Sequence, residues 1–173
     1  MAAANGAGFC GEDVFGVRGV IDSILVVCVG NICRSPVAAQ LLAAGLAVEN
    51  ASITVSSAGI GALVGEEIDP LAAEIATGNG LALEPHQARQ FTPEMGMACS
   101  LILVMEPGHR THILQKSPQL AGRIMLFDHW TGARGISDPY QCSREFHETV
   151  YTRLKDAAAA WAQRLSMRKE RAV

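Results

Sequence analysis

Two rhythms of apolar and polar positions run through the chain. The β-branched run Ser23 to Val27 stops at Cys28, and helix-forming residues follow from Pro36 to Val48, so the pattern predicts strand, loop, helix. Ser52 to Ser56 alternates as a second strand. Asp69 and Pro70 form an N-cap and first-turn pair for a helix reaching about Asn79, where Gly80 ends it. Thr92 and Pro93 repeat that signal for a short helix. Leu101 to Met105 is a continuous apolar run suited to a strand buried on both faces, and Pro107 opens another helix.

Arg123 to Phe127 supplies a fourth strand. From Asp128 to Gln141 the chain carries Gly132, Gly135 and Pro139 and reads as a long loop, a feature that in compact domains is often functional. Phe146, Val150, Leu154, Ala158, Trp161 and Leu165 then recur at intervals of three and four, which is one apolar face of a long helix, with Trp161 in the core. Strands alternating with helices imply an α/β fold, a doubly wound parallel sheet covered on both faces by right-handed crossovers. An active site in such a fold belongs at the carboxyl ends of the strands.

Composition narrows the class. The 173 residues are 49% hydrophobic and 18% charged, a globular balance, and the formal net charge of −3 offers no basic stripe for nucleic acid. No apolar run approaches the roughly 20 residues needed to cross a bilayer, so no membrane insertion is expected. Residues 1–22 lack the basic start and apolar stretch of a secretory signal and are rich in glycine, which reads as a flexible extension. Cys10, Cys28, Cys33, Cys99 and Cys142 are an odd, scattered set, expected as reduced thiols in a cytoplasm rather than as a disulfide framework. One domain over 23–167 is expected, with a short tail over 168–173.

The chemistry concentrates where the first strand ends. Cys28, Val29, Gly30, Asn31, Ile32, Cys33, Arg34, Ser35 and Pro36 place a thiol at the strand end and an arginine just before the helix. A loop wrapped at a helix N-terminus gathers backbone N–H groups into an anion nest, and Gly30 and Asn31 tolerate the backbone angles this needs. Phosphate suits such a nest. Arg34 adds a planar, two-pronged grip on phosphoryl oxygens that lysine cannot supply. The same positive field favours the thiolate of Cys28, to which Ser35 is placed to donate a hydrogen bond.

With Cys28 to Pro36, Ser57-Ala58-Gly59 and Asp138-Pro139-Tyr140 in hand, the chain resembles the low-molecular-weight protein-tyrosine phosphatases over about Ser23 to Leu165. It is similar above all to the bacterial branch acting on tyrosine autokinases of exopolysaccharide export. The resemblance implies four parallel strands in the order 2-1-3-4, agreeing with the elements read above. It implies that Cys28 attacks phosphorus, that Arg34 and the amides of residues 29–35 hold the equatorial oxygens, and that Asp138 serves as general acid and then base. It implies neither a metal nor a cofactor, and a phosphotyrosine protein, such as an autokinase, as partner. Asn31 and Ser57 are expected to support the loop, with His86 as a further candidate, and Leu63 and Tyr140 are candidates for the walls of the aromatic slot.

Ile32 bears on specificity, because the resemblance gives threonine at this loop position to phosphoarginine phosphatases; isoleucine favours tyrosine. Cys33, five positions after Cys28, could trap an oxidised nucleophile as a disulfide or simply pack behind the loop. His109 and His112, one helical turn apart, lack an evident third ligand and read as a solvated face. Arsenate reductases share the fold and loop but relay a disulfide through a further cysteine pair, and Cys99 and Cys142 are not spaced as one.

Overall fold

The computed structural model describes residues 20–49 and 51–171, with side chains up to 167. Most of the expected N-terminal extension, including Cys10, and the last two residues of the expected tail therefore lie outside the described residues. Among the described residues four strands, β1 (Ser23–Cys28), β2 (Thr54–Gly59), β3 (Leu101–Val104) and β4 (Ile124–Leu126), form one parallel sheet in the order β2-β1-β3-β4. The α-helices of the described residues are α1 (Arg34–Val48), α2 (Pro70–Gly78), α3 (Pro93–Ala98), α4 (Pro107–Lys116) and α5 (Arg144–Arg171). This is the doubly wound fold expected from the alternation of the two rhythms.

Sequence explains the layering. β1 and β3 are buried on both faces because both are central, whereas β2 is exposed at its start and buried only where Ser57, Ala58 and Gly59 reach the active end. Ile24, Val26, Leu101 and Leu103 face α1, α2 and α5, while Leu25, Val27, Ile102 and Val104 face α3, α4 and a 3-10 turn at Pro118–Arg123. In α5, Val150, Leu154, Ala158, Trp161 and Leu165 are buried, and Trp161 Nε1 donates to Phe127 O at 2.7 Å, satisfying its one polar atom. Each large side chain so buried stabilises the fold by about 1.5–3 kcal/mol.

The helix starts follow local chemistry. Asp69 Oδ1 accepts from Leu71 N at 3.1 Å and Ala72 N at 3.0 Å, and Thr92 Oγ1 accepts from Met95 N at 3.3 Å, each cap being followed by proline. Two boundaries differ from expectation. Within the expected extension, the Ile21 side chain enters the core while Asp22 accepts from the Ser100 hydroxyl at 2.6 Å. α5 runs on to Arg171, through most of the expected tail, because nothing in that segment breaks a helix. Among the described residues no helix is long and apolar enough to cross a membrane.

Candidate active site

Cys28 is the last residue of β1 and Arg34 the first of α1, so the intervening loop turns the chain back over the carboxyl end of the sheet. α1 has no side-chain cap, which leaves the amides of its first turn available to an anion. Asn31 N–H points back to Cys28 Sγ at 3.3 Å, and the Ser35 hydroxyl lies 3.0 Å from the same sulfur. Ser35 Oγ accepts from Asn31 Nδ2 at 2.8 Å, so its own proton is free for Cys28 Sγ in preference to Ala58 O, which is 3.4 Å away. Two donors thus converge on a thiol that is 2% exposed.

The loop is held from one side by a polar network centred on Asn31. Its backbone takes φ +57°, in the left-handed region that asparagine visits more readily than most residues. Its Nδ2 also donates to Ser57 Oγ at 3.0 Å, its Oδ1 accepts from Arg89 N at 2.9 Å, and its carbonyl lies 2.7 Å from His86 Nε2. Arg89 Nε closes the ring by donating to Ser57 O at 2.8 Å. Gly59 is required for a steric reason: a Cβ there would stand 2.2 Å from Val29 O and 3.0 Å from Asn31 N.

Arg34 is 1% exposed and carries its charge among three acceptors. Nη1 pairs with Glu106 Oε1 and donates to Ile136 O at 2.8 Å, and Nη2 donates to Asp138 Oδ2 at 2.5 Å. Its buried Nε has no hydrogen-bond partner, a donor in keeping with an additional acceptor at this position. Asp138 comes from the long loop after β4, where its Oδ1 accepts from Tyr140 N at 3.2 Å.

The loop residues Cys28 to Ser35, Asp138, Ser57 and His86 are thereby brought to one end of the sheet. Leu63 and Tyr140 are 44% and 47% exposed, and Leu63 N donates to Gly30 O at 3.0 Å, so its side chain stands beside the loop and not in the core. Ile32 and Cys33 are buried beneath the loop with Ala88. Burial pushes the Cys33 thiol far above the ordinary thiol range, with the nearby Asp69 and Asp138 carboxylates acting in the same direction.

His109 is a correction: it is buried rather than solvated, because its face of α4 turns back toward Glu106, whose Oε1 lies 3.7 Å from Nε2. Burial, assisted by the Arg34 charge, lowers its pKa. Sequence pattern alone does not reveal Glu106 or Arg89 as part of the site. Glu106 had a signal, since it stands two residues beyond the end of β3, on the edge of the sheet where function was expected.

A thiol at the end of a strand and an arginine at the start of the next helix, joined by a curled loop on a doubly wound sheet, define a phosphatase-like α/β protein. The chain belongs to the low molecular weight phosphotyrosine protein phosphatase family, whose sequence model matches residues 23–171; its class is that of protein-tyrosine phosphatases, which are hydrolases. Within the family its relatives include bacterial proteins of the Wzb type. The low molecular weight protein-tyrosine-phosphatase Wzb of Salmonella typhimurium is 46% identical over 147 residues, covering 85% of this chain and 96% of the relative. The probable low molecular weight protein-tyrosine-phosphatase AmsI of Erwinia amylovora is 43% identical, covering 85% and 99%. The crystal structure of the tyrosine phosphatase Wzb from Escherichia coli K30 in complex with sulphate superposes with a TM-score of 0.80 at 42% identity, covering 84% of this chain and 99% of that one.

Proposed function

We propose that the chain hydrolyses phosphotyrosine in proteins through a cysteinyl-phosphate on Cys28. The observation that carries the reading is the convergence of Cys28, the uncapped start of α1, Arg34 and Asp138 at one end of the sheet. The Cys28 thiolate attacks phosphorus in line with the tyrosyl oxygen, while Arg34 and the amides of residues 29–35 take the charge on the equatorial oxygens. Asp138 gives its proton to the departing phenolate. Its carboxylate then accepts a proton from water as that water displaces the thiolate from phosphorus, which returns the free enzyme and releases phosphate. Asn31, Ser57 and His86 hold the loop in shape, and Leu63 and Tyr140 flank the ring of the substrate. The sulphate bound by the Escherichia coli relative suits a tetrahedral oxyanion here as well.

The physiological partner we infer, from the resemblance to the bacterial branch drawn from the sequence, is a tyrosine autokinase controlling exopolysaccharide production, in the cytoplasm. Ile32 fits tyrosine rather than phosphoarginine as the substrate. An arsenate reductase relay is disfavoured, because Cys99 precedes β3 and lies at the amino end of the sheet, opposite Cys28, while Cys142 is exposed in the loop after Asp138.

Hydrolysis of para-nitrophenyl phosphate with a chelator present tests the chemistry. Wild type should be active, Cys28→Ser inactive, and Asp138→Asn strongly impaired. Inactivity of the reduced wild type would overturn the reading. Unaltered phosphorylation of autokinase tails in a deletion strain would remove the proposed partner.

A further inference from the structure

The turn that follows β4 is built around a carboxylate with no part in the chemistry above. Asp128 is 1% exposed, and a buried charge is costly unless it is paired and hydrogen-bonded. Its Oδ2 accepts from Arg134 N at 3.1 Å and Gly135 N at 3.0 Å, its Oδ1 accepts from Gly135 N at 3.2 Å, and Arg153 of α5 donates to Oδ2 at 3.3 Å. The Asp128 carbonyl accepts from Thr131 N at 3.0 Å and Ala133 N at 2.9 Å. Arg153 also donates to Gly135 O at 2.8 Å, so Gly135 is gripped at both its amide and its carbonyl.

Gly135 is the point where this turn meets the active site. It has φ +85°, and a Cβ on it would stand 3.2 Å from both Met105 O and Pro107 Cδ, so its backbone lies against the segment that carries Glu106. The next residue, Ile136, donates to Met105 O at 2.7 Å and accepts from Arg34 Nη1 at 2.8 Å. Two residues further on is Asp138. Both carboxylates that flank Arg34 and the carbonyl between them are therefore registered by the contact of Gly135 and Ile136 with residues 105–107.

We propose that Asp128, together with Arg153, is a positioning residue for the acid loop: it seats Gly135 against Met105–Pro107 and so sets Asp138 and Ile136 O relative to Arg34. The inference rests on the reading of Asp138 as general acid. A turn that served stability alone would affect every substrate equally, whereas a misplaced acid matters most for a leaving group that needs the proton. Phenolate, whose conjugate acid has a pKa of about 10, needs it. The stabilised 2,4-dinitrophenolate leaves as the anion.

The test compares kcat/KM for phenyl phosphate and 2,4-dinitrophenyl phosphate, which reports the step that forms the cysteinyl-phosphate. Wild type, Asp128→Ala, Asp128→Asn and Arg153→Met are measured alone and combined with Asp138→Asn. Asp128→Ala should lower the phenyl phosphate value about tenfold or more and the dinitrophenyl value less than about threefold. Asp128→Asn, whose side-chain oxygen still accepts from Gly135 N, should recover part of the loss. In the Asp138→Asn background Asp128→Ala should add nothing on phenyl phosphate, since the misplaced group is already gone. Equal losses on the two esters, losses that add to that of Asp138→Asn, or no loss in any variant would overturn the proposal. If Asp128→Ala does not fold, Asp128→Asn and Arg153→Met provide the same comparison, and the same outcomes support or overturn it. Equal loss on both esters in Asp138→Asn itself would instead overturn the acid reading, and this inference with it.

Discussion

Asp138 Oδ2 accepts a hydrogen bond from Arg34 Nη2 at 2.5 Å, so the proposed acid and the proposed phosphate clamp hold each other. A phosphoryl dianion arriving at Arg34 competes with that carboxylate for the same guanidinium. Ligand binding and the hold on the Asp138 carboxylate are therefore coupled through one cation.

This coupling separates binding from turnover. Asp138→Ala removes an internal competitor for Arg34 along with the proton donor. Inorganic phosphate should inhibit the variant at least as strongly as wild type, while kcat for an aryl phosphate falls by about 10²–10⁴. Inhibition constants and kcat measured side by side decide it, and weaker phosphate binding in the variant would contradict the competition.

Glu106 is the second carboxylate on Arg34. The Glu106→Gln substitution keeps an acceptor oxygen but removes the negative charge, leaving Asp138 as the carboxylate paired with a guanidinium that is almost wholly buried. The expected cost is about 1–3 kcal/mol, the range of a charge-assisted hydrogen bond weakened to a neutral one. Urea unfolding reads it directly, and an unchanged midpoint would show that the pair contributes little to folding.

Asn31 serves three partners with one amide while its backbone sits in the left-handed region. Asn31→Gly keeps the backbone accessible and deletes the network; Asn31→Ala deletes both. Each should lower kcat/KM by at least about tenfold, because a shift of about 1 Å in an attacking group can cost about a hundredfold. Alanine should also lower the melting temperature more than glycine, since only alanine adds strain in the left-handed region. Equal melting temperatures for the two variants would place the stabilisation in the side chain alone.

What could be read from the sequence is what depends on near neighbours. The strand ending at Cys28, the Asp69 and Thr92 caps and the apolar face of α5 all rest on residues within a few positions of one another. Gly59 illustrates the limit: its place beside Ser57 and Ala58 was visible, but its steric purpose depends on Val29 passing overhead from another element. Glu106 and Arg89 join partners 72 and 58 positions away, and no local pattern announces such pairings. His109 fails for a related reason. A spacing of three places two histidines on one side of a helix but leaves open whether that side meets water or, as here for His109, the buried end of the sheet.

The burial of His109 makes a pH prediction. Its ordinary pKa of 6.5 is lowered in the folded protein, chiefly by burial and then by the Arg34 charge, with Glu106 and Asp138 opposing and the neighbouring His112 reinforcing the shift. In the window between the lowered folded value and 6.5, the unfolded chain binds more protons at this site than the native one. The contribution of a neutral His109 to stability is therefore complete above the unfolded value and declines as pH falls below it, ceasing to change once the pH passes the folded value. His109→Asn removes the titrating group while keeping a polar side chain. Melting temperatures taken from pH 7 downward should fall less steeply in the variant than in wild type over that window, while other groups titrate alike in both. Parallel curves would show that His109 binds its proton equally well in the folded and unfolded chains.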